Sequence, residues 1–319
     1  MAKNANFALC QKTWSSYKTA QNMLERCLAD HNEALSLPLT ERQTNLFVAW
    51  LLEKDLAEST IQAYISGIRT FHLVNGFQPP IFRSPQLQHV LTGKKNQDNI
   101  RKRTNNKKFR LPMTLCTMKL LKKKIISSSL NNTDKTCLWA TCTLALSGGF
   151  RIHELLCRKP KQFDPNFCLL HKDITLDQST IRILIKSDKT NKTHKATMVD
   201  IFQTDSGNCP VRAYKKYISL AKYLEDDLPA FRTSDGAALT GRHLNSFLKK
   251  ELNPSINISN GYFSSHSFRI GLCSILAHNG LTEPELKAAG RWSSSAYERY
   301  IKMTRTTRMN LAHKISSIL

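Results

Sequence analysis

Residues 147 to 156 read SGGFRIHELL, and the rest of the chain is ordered around them. Just before Arg151, Thr136 to Phe150 is the longest nearly uncharged run. It is too short to span a bilayer and ends in Gly148-Gly149, so it reads as a buried helix closed by a glycine turn. After the turn come Arg151 and, three residues on, Glu154. An arginine in such a place is ordinarily a surface or ion-paired residue. Its meaning rests on what the fold sets beside it.

Downstream, Ile181, Ile183 and Ile185 alternate with Arg182, Leu184 and Lys186, and Ala196 to Phe202 is a second strand-like run. The polar stretch KSDKTNKTHK, Lys186 to Lys195, predicts a hairpin turn between them. Pro210 opens a helix through Tyr214, Tyr217 and Leu220, as proline does at a first helical position. Further helices are expected at about 240 to 250, 266 to 278 and 283 to 289, the last capped by Thr282 and Glu285.

Upstream, a basic helix over Lys119 to Ile126 comes first, and the leading ninety residues read as helices. Trp14, Tyr17, Leu24 and Leu28 recur at helical spacing. A second helix opens at Thr40, with Gln43 completing a capping box, and runs through Leu46, Trp50 and Leu51. A third opens at Ser59 with Gln62 as its reciprocal cap, lines up Ile61, Ile65, Ile68 and Phe71, and stops at Asn75-Gly76. No internal repeat is evident.

Lys and Arg number 47 against 24 acidic residues, a net charge of +23 in 319 residues, while the 41% hydrophobic fraction is ample for a core. Such self-repulsion calls for a polyanion, and nucleic acid is the leading candidate because each neutralised phosphate releases counterions. No long apolar helix or lipidation motif supports a membrane surface instead, and the first ten residues read as neither signal peptide nor anchor. The nine cysteines are scattered with no Cys-x-x-Cys pair, arguing against a disulfide framework or a zinc site and for a reducing compartment. Residues 94 to 110, KKNQDNIRKRTNNKKFR, carry eight basic side chains against one aspartate and predict a solvated linker. Such a basic strap can also follow a DNA backbone through Lys94, Lys95, Arg101, Lys102, Arg103, Lys107 and Lys108, or serve nuclear import.

The expected architecture is mainly α with a small β-sheet. A helical domain covers residues 1–93, a basic linker residues 94–110, and an α+β domain with a C-terminal helix residues 111–319.

Phosphoryl transfer to a tyrosine needs a phenol oxygen in line with phosphorus, cations around the non-bridging oxygens, and a proton donor for the leaving oxygen. Arginine suits the cation role because its planar fork binds two phosphate oxygens and stays charged, and lysine suits the acid role because its pKa shifts readily. Four segments meet these needs together. They are SGGFRIHELL with Arg151, the lysine-rich turn around Lys189, HSFRIGLCSILAHNG with His266 and Arg269 one helical turn apart, and GRWSSSAYERYIK with Trp292, Tyr297 and Tyr300. Taken singly, each has a plainer reading: His266 as a helix cap, Trp292 as a core aromatic, and the turn lysines as solvated charges. Lys186, Lys192 and Lys195 compete with Lys189, and His153 and His194 have no metal-ligand spacing.

The set resembles the tyrosine recombinases, the lambda-integrase-like or Cre-like family. The matching pieces are Gly149 to Leu155 (G-x-R-I-x-E-L), Lys189-Thr190 in a hairpin, His266 to Arg269 (H-x-x-R), and Gly290 to Ile301 (G-R-W, then R-Y-I), in the family's order. The helix Ser59 to His72 also looks like the family's DNA-gripping core-binding domain. The resemblance implies that Arg151 and Arg269 clamp the scissile phosphate, Lys189 protonates the leaving 5′ oxygen, and His266 assists proton movement. Trp292 packs and donates one hydrogen bond, Glu154 holds an arginine or histidine in place, and Tyr300 rather than Tyr297 is the nucleophile. It further implies no metal or nucleotide cofactor, double-stranded DNA as partner, and a homo-oligomer, a tetramer on two DNA sites. The helical stripe of Leu311, Ile315, Ile318 and Leu319 within residues 305–319 either joins that tetramer by packing into a neighbouring subunit or docks on its own domain. The tryptophan and the GRWSSSAYERYI spacing look most like recombinases of eukaryotic mobile elements, the DIRS, Ngaro and Crypton groups, which implies a nuclear protein. Competing readings are a type IB topoisomerase-like enzyme and a domesticated DNA-binding protein without catalysis.

Overall fold

The structure is a computed structural model that describes residues 11–80, 84–104, 108–186, 196–222, 224–256, 258–292 and 295–299. It divides into two compact units, Met1–Lys107 and Lys108–Leu319. Among the described residues it is mainly α, with two small sheets. No helix among the described residues is long and apolar enough to cross a membrane.

In the first unit, α1 (Gln11–Asp30) lies close against α3 (Glu58–Val74): a β-carbon on Gly67 would stand 3.0 Å from both Ala20 Cβ and the Tyr17 ring. Leu24 and Leu28 of α1 share one core with Phe47, Val48 and Leu51 of α2 (Glu41–Glu53) and Ile61, Ile65 and Ile68 of α3. Fully burying each such side chain contributes roughly 1.5–3 kcal/mol against chain entropy. The Thr40–Gln43 capping box forms at the start of α2. At α3 the expectation fails: the helix begins at Glu58 after Ala57, with no side-chain cap at that end. The Glu58 N–H is instead satisfied by the Asp98 carboxylate at 2.7 Å, a partner 40 residues away in sequence.

Asp98 lies on α4 (Pro85–Thr104), which overturns the expected linker: residues 94–104 are helix, and the unit boundary falls at Lys107. Leu87 and Leu91 bury the first half of α4 in the core. Lys94 is itself buried, 2.7 Å from Asp55 and 3.2 Å from Asp98, and Arg101 holds both Asp55 oxygens at 2.6–2.7 Å. Lys94 therefore has the character of a structural cation rather than of a strap residue. Lys95 and Lys108 are exposed; the side chains of Lys102 and Arg103, and Lys107 altogether, lie outside what is described.

The second unit is built on α6 (Asn132–Ser147), whose side chains are buried nearly all round, from Cys137 and Leu138 to Ala145 and Leu146. Asn131 caps it by accepting from the Asp134 N–H at 2.9 Å. Around it pack α5 (Leu115–Ser127) and α8 (Pro210–Ile218), whose Tyr214 and Tyr217 meet the Phe231 ring. The antiparallel sheet runs in the order β2 (Ile174–Leu176), β3 (Thr180–Ile185), β4 (Thr197–Phe202), with Ile183 opposite both Ile174 and Val199. The isoleucines of β3 enter the core as their alternation predicts, whereas β2 was not anticipated. The expected turn holding Lys189, Lys192, His194 and Lys195 lies outside the described residues, as do Tyr300 and the tail 305–319.

The cysteines also depart from expectation. Cys157 and Cys168 are disulfide-bonded, because the chain doubles back between them and brings their Cα atoms to 5.6 Å. Spacing of 11 residues within a loop leaves no signature in the sequence.

Candidate active site

The glycine turn after α6 is where the site begins. Gly149 adopts φ +55°, open to glycine at little cost, and a β-carbon there would meet Leu272 at 2.7 Å. The turn delivers Arg151 to the N-terminus of the short helix α7 (Ile152–Leu155). Glu154, its side chain wholly buried, accepts from the Arg151 backbone N–H and from Arg151 Nη1, both at 2.9 Å.

Beyond α9 (Gly241–Phe247), the second group arrives on α10 (His266–His278). This helix is pressed against the chain at Met113: a β-carbon on Gly271 would fall 2.2 Å from the Met113 carbonyl oxygen, and the Met113 N–H donates to Ser267 O at 2.9 Å. The same contact continues into a two-stranded parallel sheet of β1 (Phe109–Arg110) and β5 (Gly261–Tyr262), with Arg110 opposite Tyr262. Arg110 is thereby carried beside His266.

Arg269 is almost fully buried. It donates through Nη1 to Gly149 O and through Nη2 to Gly290 O at 2.6 Å, and its guanidinium lies 4.7 Å from the centre of the Trp292 ring. It thus ties the glycine turn to the end of α11 (Glu283–Gly290). Trp292 is buried with Cys273, Leu286 and Tyr297, and Gly290 must lack a side chain because a β-carbon would stand 2.0 Å from the indole.

Burial comes first in setting the His266 imidazole, followed by the charges of Arg110, Arg269 and Arg151; together they lower its pKa from 6.5 to about 4. His266 is therefore neutral at pH 7 and able to take up or relay a proton. An anion settling among the three arginines would oppose that shift.

Arg151, Glu154, His266, Arg269 and Trp292, spread over more than a hundred residues of sequence, are thus assembled in one place. Lys186 is not a competitor for the acid role, because it pairs with Asp173 at 2.6 Å and donates to Pro165 O at 2.9 Å. Tyr297 is buried against Trp292, ring centres 6.1 Å apart, and burial and the Glu283 carboxylate that its hydroxyl meets raise its phenol above the ordinary range. Two residues that sequence reading passed over belong here as well. Arg110 gave no signal beyond the general basicity of its segment. Arg291 stood in plain view in Gly-Arg-Trp, and its guanidinium donates to Glu154 Oε2 at 2.9 Å and Gly148 O at 2.8 Å.

The fold is shared with solved site-specific recombinases and integrases. The Tn1549 transposon integrase in complex with circular intermediate DNA matches with a TM-score of 0.58 and 16% identity, over 95% of this chain and 94% of that one. The XerH site-specific recombinase bound to its palindromic difH substrate matches with a TM-score of 0.65 and 15% identity, over 95% and 79%. A lambda integrase dimer bound to a COC′ core site gives 0.56 and 12%, over 92% and 89%. In sequence, no protein-family model and no curated protein matches the chain.

Proposed function

We propose that this chain is a site-specific DNA recombinase that cleaves and rejoins strands through a 3′-phosphotyrosyl intermediate. The observation that carries the reading is the convergence of Arg151, His266 and Arg269 beside the buried Trp292, in a fold whose solved examples named above are DNA-bound recombinases and integrases.

In this reading the Tyr300 oxygen attacks phosphorus as the bond from phosphorus to the 5′ oxygen breaks. Arg151 and Arg269 stabilise the charge that gathers on the non-bridging oxygens. Lys189 gives a proton to the departing 5′ oxygen, and neutral His266 takes up or relays the proton that leaves the phenol. The phosphotyrosyl bond conserves the energy of the broken phosphodiester, so religation is the same step reversed. Tyr297, buried and bonded to Glu283, is spent on packing, which favours Tyr300 as nucleophile. The first unit would grip duplex DNA as a core-binding domain. The protein would act in the nucleus as a tetramer on two DNA sites, integrating or excising a mobile element of the DIRS, Ngaro or Crypton kind.

The test is covalent trapping. A duplex selected from a random-sequence pool by binding is nicked so that the freed strand diffuses away, and the DNA-linked peptide is identified by mass spectrometry. A phosphotyrosyl bond on Tyr300, absent from Tyr300→Phe and retained by Tyr297→Phe, is the expected result. An adduct on Tyr297, or persistence in Tyr300→Phe, refutes the assignment. Relaxation of supercoils without site preference would favour a type IB topoisomerase, and tight binding with no adduct a non-catalytic protein.

A further inference from the structure

Arg291 occupies a place that a side chain ordinarily avoids. Its backbone lies in the left-handed region, φ +53° and ψ 50°, as the residue that closes α11, where glycine is the usual occupant. The guanidinium is mostly buried; both Nη atoms are engaged, while the buried Nε has no hydrogen-bond partner among the described residues. One Nη donates to Glu154 Oε2 at 2.9 Å and the other to Gly148 O at 2.8 Å, while the plane covers the Phe150 ring with 4.8 Å to its centre. All three contacts fall on the segment that carries Arg151, and the carboxylate it holds is the one that Arg151 also holds, at 2.9 Å. Glu154 is therefore a shared acceptor, one oxygen serving Arg151 Nη1 and the other serving Arg291 and the Arg151 N–H.

From this geometry we infer that Arg291 is a positioning residue: through Glu154 it fixes the guanidinium of Arg151 in the pose that meets the scissile phosphate. A glycine would relax the backbone but leave Glu154 held from one side only. A lysine would keep a charge yet lack the fork that reaches Glu154 and Gly148 O together. The side chain at this strained position earns its place by what it holds across the site. The importance of Arg151's pose rests on the recombinase reading; the positional link does not.

The link is measured without DNA, by NMR titration of the His266 imidazole, its signal assigned by its disappearance in His266→Gln. Burial, then the charges of Arg110, Arg269 and, least, Arg151 hold that imidazole near 4, so the last part of the shift follows where the Arg151 guanidinium stands. Arg291→Gly should raise the His266 pKa in the same direction as Arg151→Ala and by no more than that variant, Arg151 being the least of the charges that lower it. In an Arg151→Ala background, Arg291→Gly should add nothing further, because a residue acting only through Arg151 is non-additive with it. Arg291→Lys should fall between, and it carries the test should the glycine variant not fold. An unchanged His266 titration in both folded variants, or the same shift with Arg151 already removed, overturns the inference. Absence of any phosphotyrosyl adduct from the wild-type chain would refute the functional reading and leave this result standing.

Discussion

Replacing Glu154 by Gln keeps the shape of the side chain and removes its charge. In the native site the two carboxylate oxygens accept three hydrogen bonds at 2.9 Å, two of them from guanidinium groups, with no solvent exposure of the carboxylate. The amide offers one acceptor oxygen and turns an NH2 toward a donor, so at least one guanidinium loses its partner. Breaking a buried ion pair from one side costs about 3–5 kcal/mol. Both guanidinium groups keep some access to water, about 15% of each side chain, so the lower end of that range applies, ~3 kcal/mol. For a unit of this size, 1 kcal/mol moves the melting point about 2–4 °C, which gives a fall of roughly 6–12 °C. Differential scanning calorimetry reads it directly. Because the Glu154 carboxylate is closed to solvent, the loss should be nearly the same in low and high salt, unlike that of a surface pair. A variant melting within about 1 °C of wild type would refute the argument that Glu154 is the shared anchor of two arginines.

The His266 imidazole predicts a pH dependence in the DNA-free protein. Its folded pKa, about 4, lies below the ordinary 6.5, so the unfolded chain binds more protons between those values. Its contribution is therefore complete above pH 6.5 and lost as pH falls toward 4. Partial exposure reduces the roughly 3 kcal/mol that 1.36 kcal/mol per unit would give to ~1–2 kcal/mol. His266→Gln should flatten that part of a stability-versus-pH curve measured by urea unfolding, and an unaltered curve would contradict the shift. In the first unit, Lys94→Met should lower the melting temperature and leave the salt dependence of DNA binding unchanged, since Lys94 is buried between Asp55 and Asp98. If exposed Lys95 meets a phosphate, Lys95→Met should reduce the slope of log K against log salt by about 0.9 with little effect on melting. The reverse pattern would show that α4 is not packed as described.

The helices were legible because their signals are local. Thr40 and Gln43 lie three residues apart, Asn75-Gly76 ends α3, and Thr282 with Glu285 opens α11 as read. The isoleucine alternation of β3 likewise places its own buried face. What failed was decided by partners distant in sequence. The start of α3 depends on Asp98, and the supposed linker is helix because Asp55, in a turn some forty residues earlier, neutralises Lys94 and Arg101. A run of charges looks solvated in sequence whenever its counter-charges are contributed from elsewhere. The disulfide between Cys157 and Cys168 was hidden for the same reason, since a loop's return path has no periodicity to read.

The site shows the same division at closer range. Motif order was enough to single out Arg151, His266, Arg269 and Trp292, which the fold brings together. It was not enough to find what sets their positions. Arg269 reaches the Gly149 and Gly290 carbonyls, 120 and 21 residues from itself, and Arg291 reaches Gly148, 143 residues away. Both arginines donate to backbone at the glycine turn after α6, so two cations brace the segment from which a third, Arg151, projects. Three guanidinium groups so close together repel one another unless anions or carbonyl dipoles intervene. The buried Glu154 carboxylate and the three carbonyl oxygens supply that compensation in the DNA-free protein. The single carboxylate neutralises only one of the three charges. The remaining positive field is what an entering phosphate would meet in the proposed reaction; burial first, and then the charges of Arg110, Arg269 and Arg151, lower the His266 pKa beside it. In the proposed reaction, preorganisation of this kind would place the stabilising charge before the step begins, leaving little reorganisation for the transition state to require.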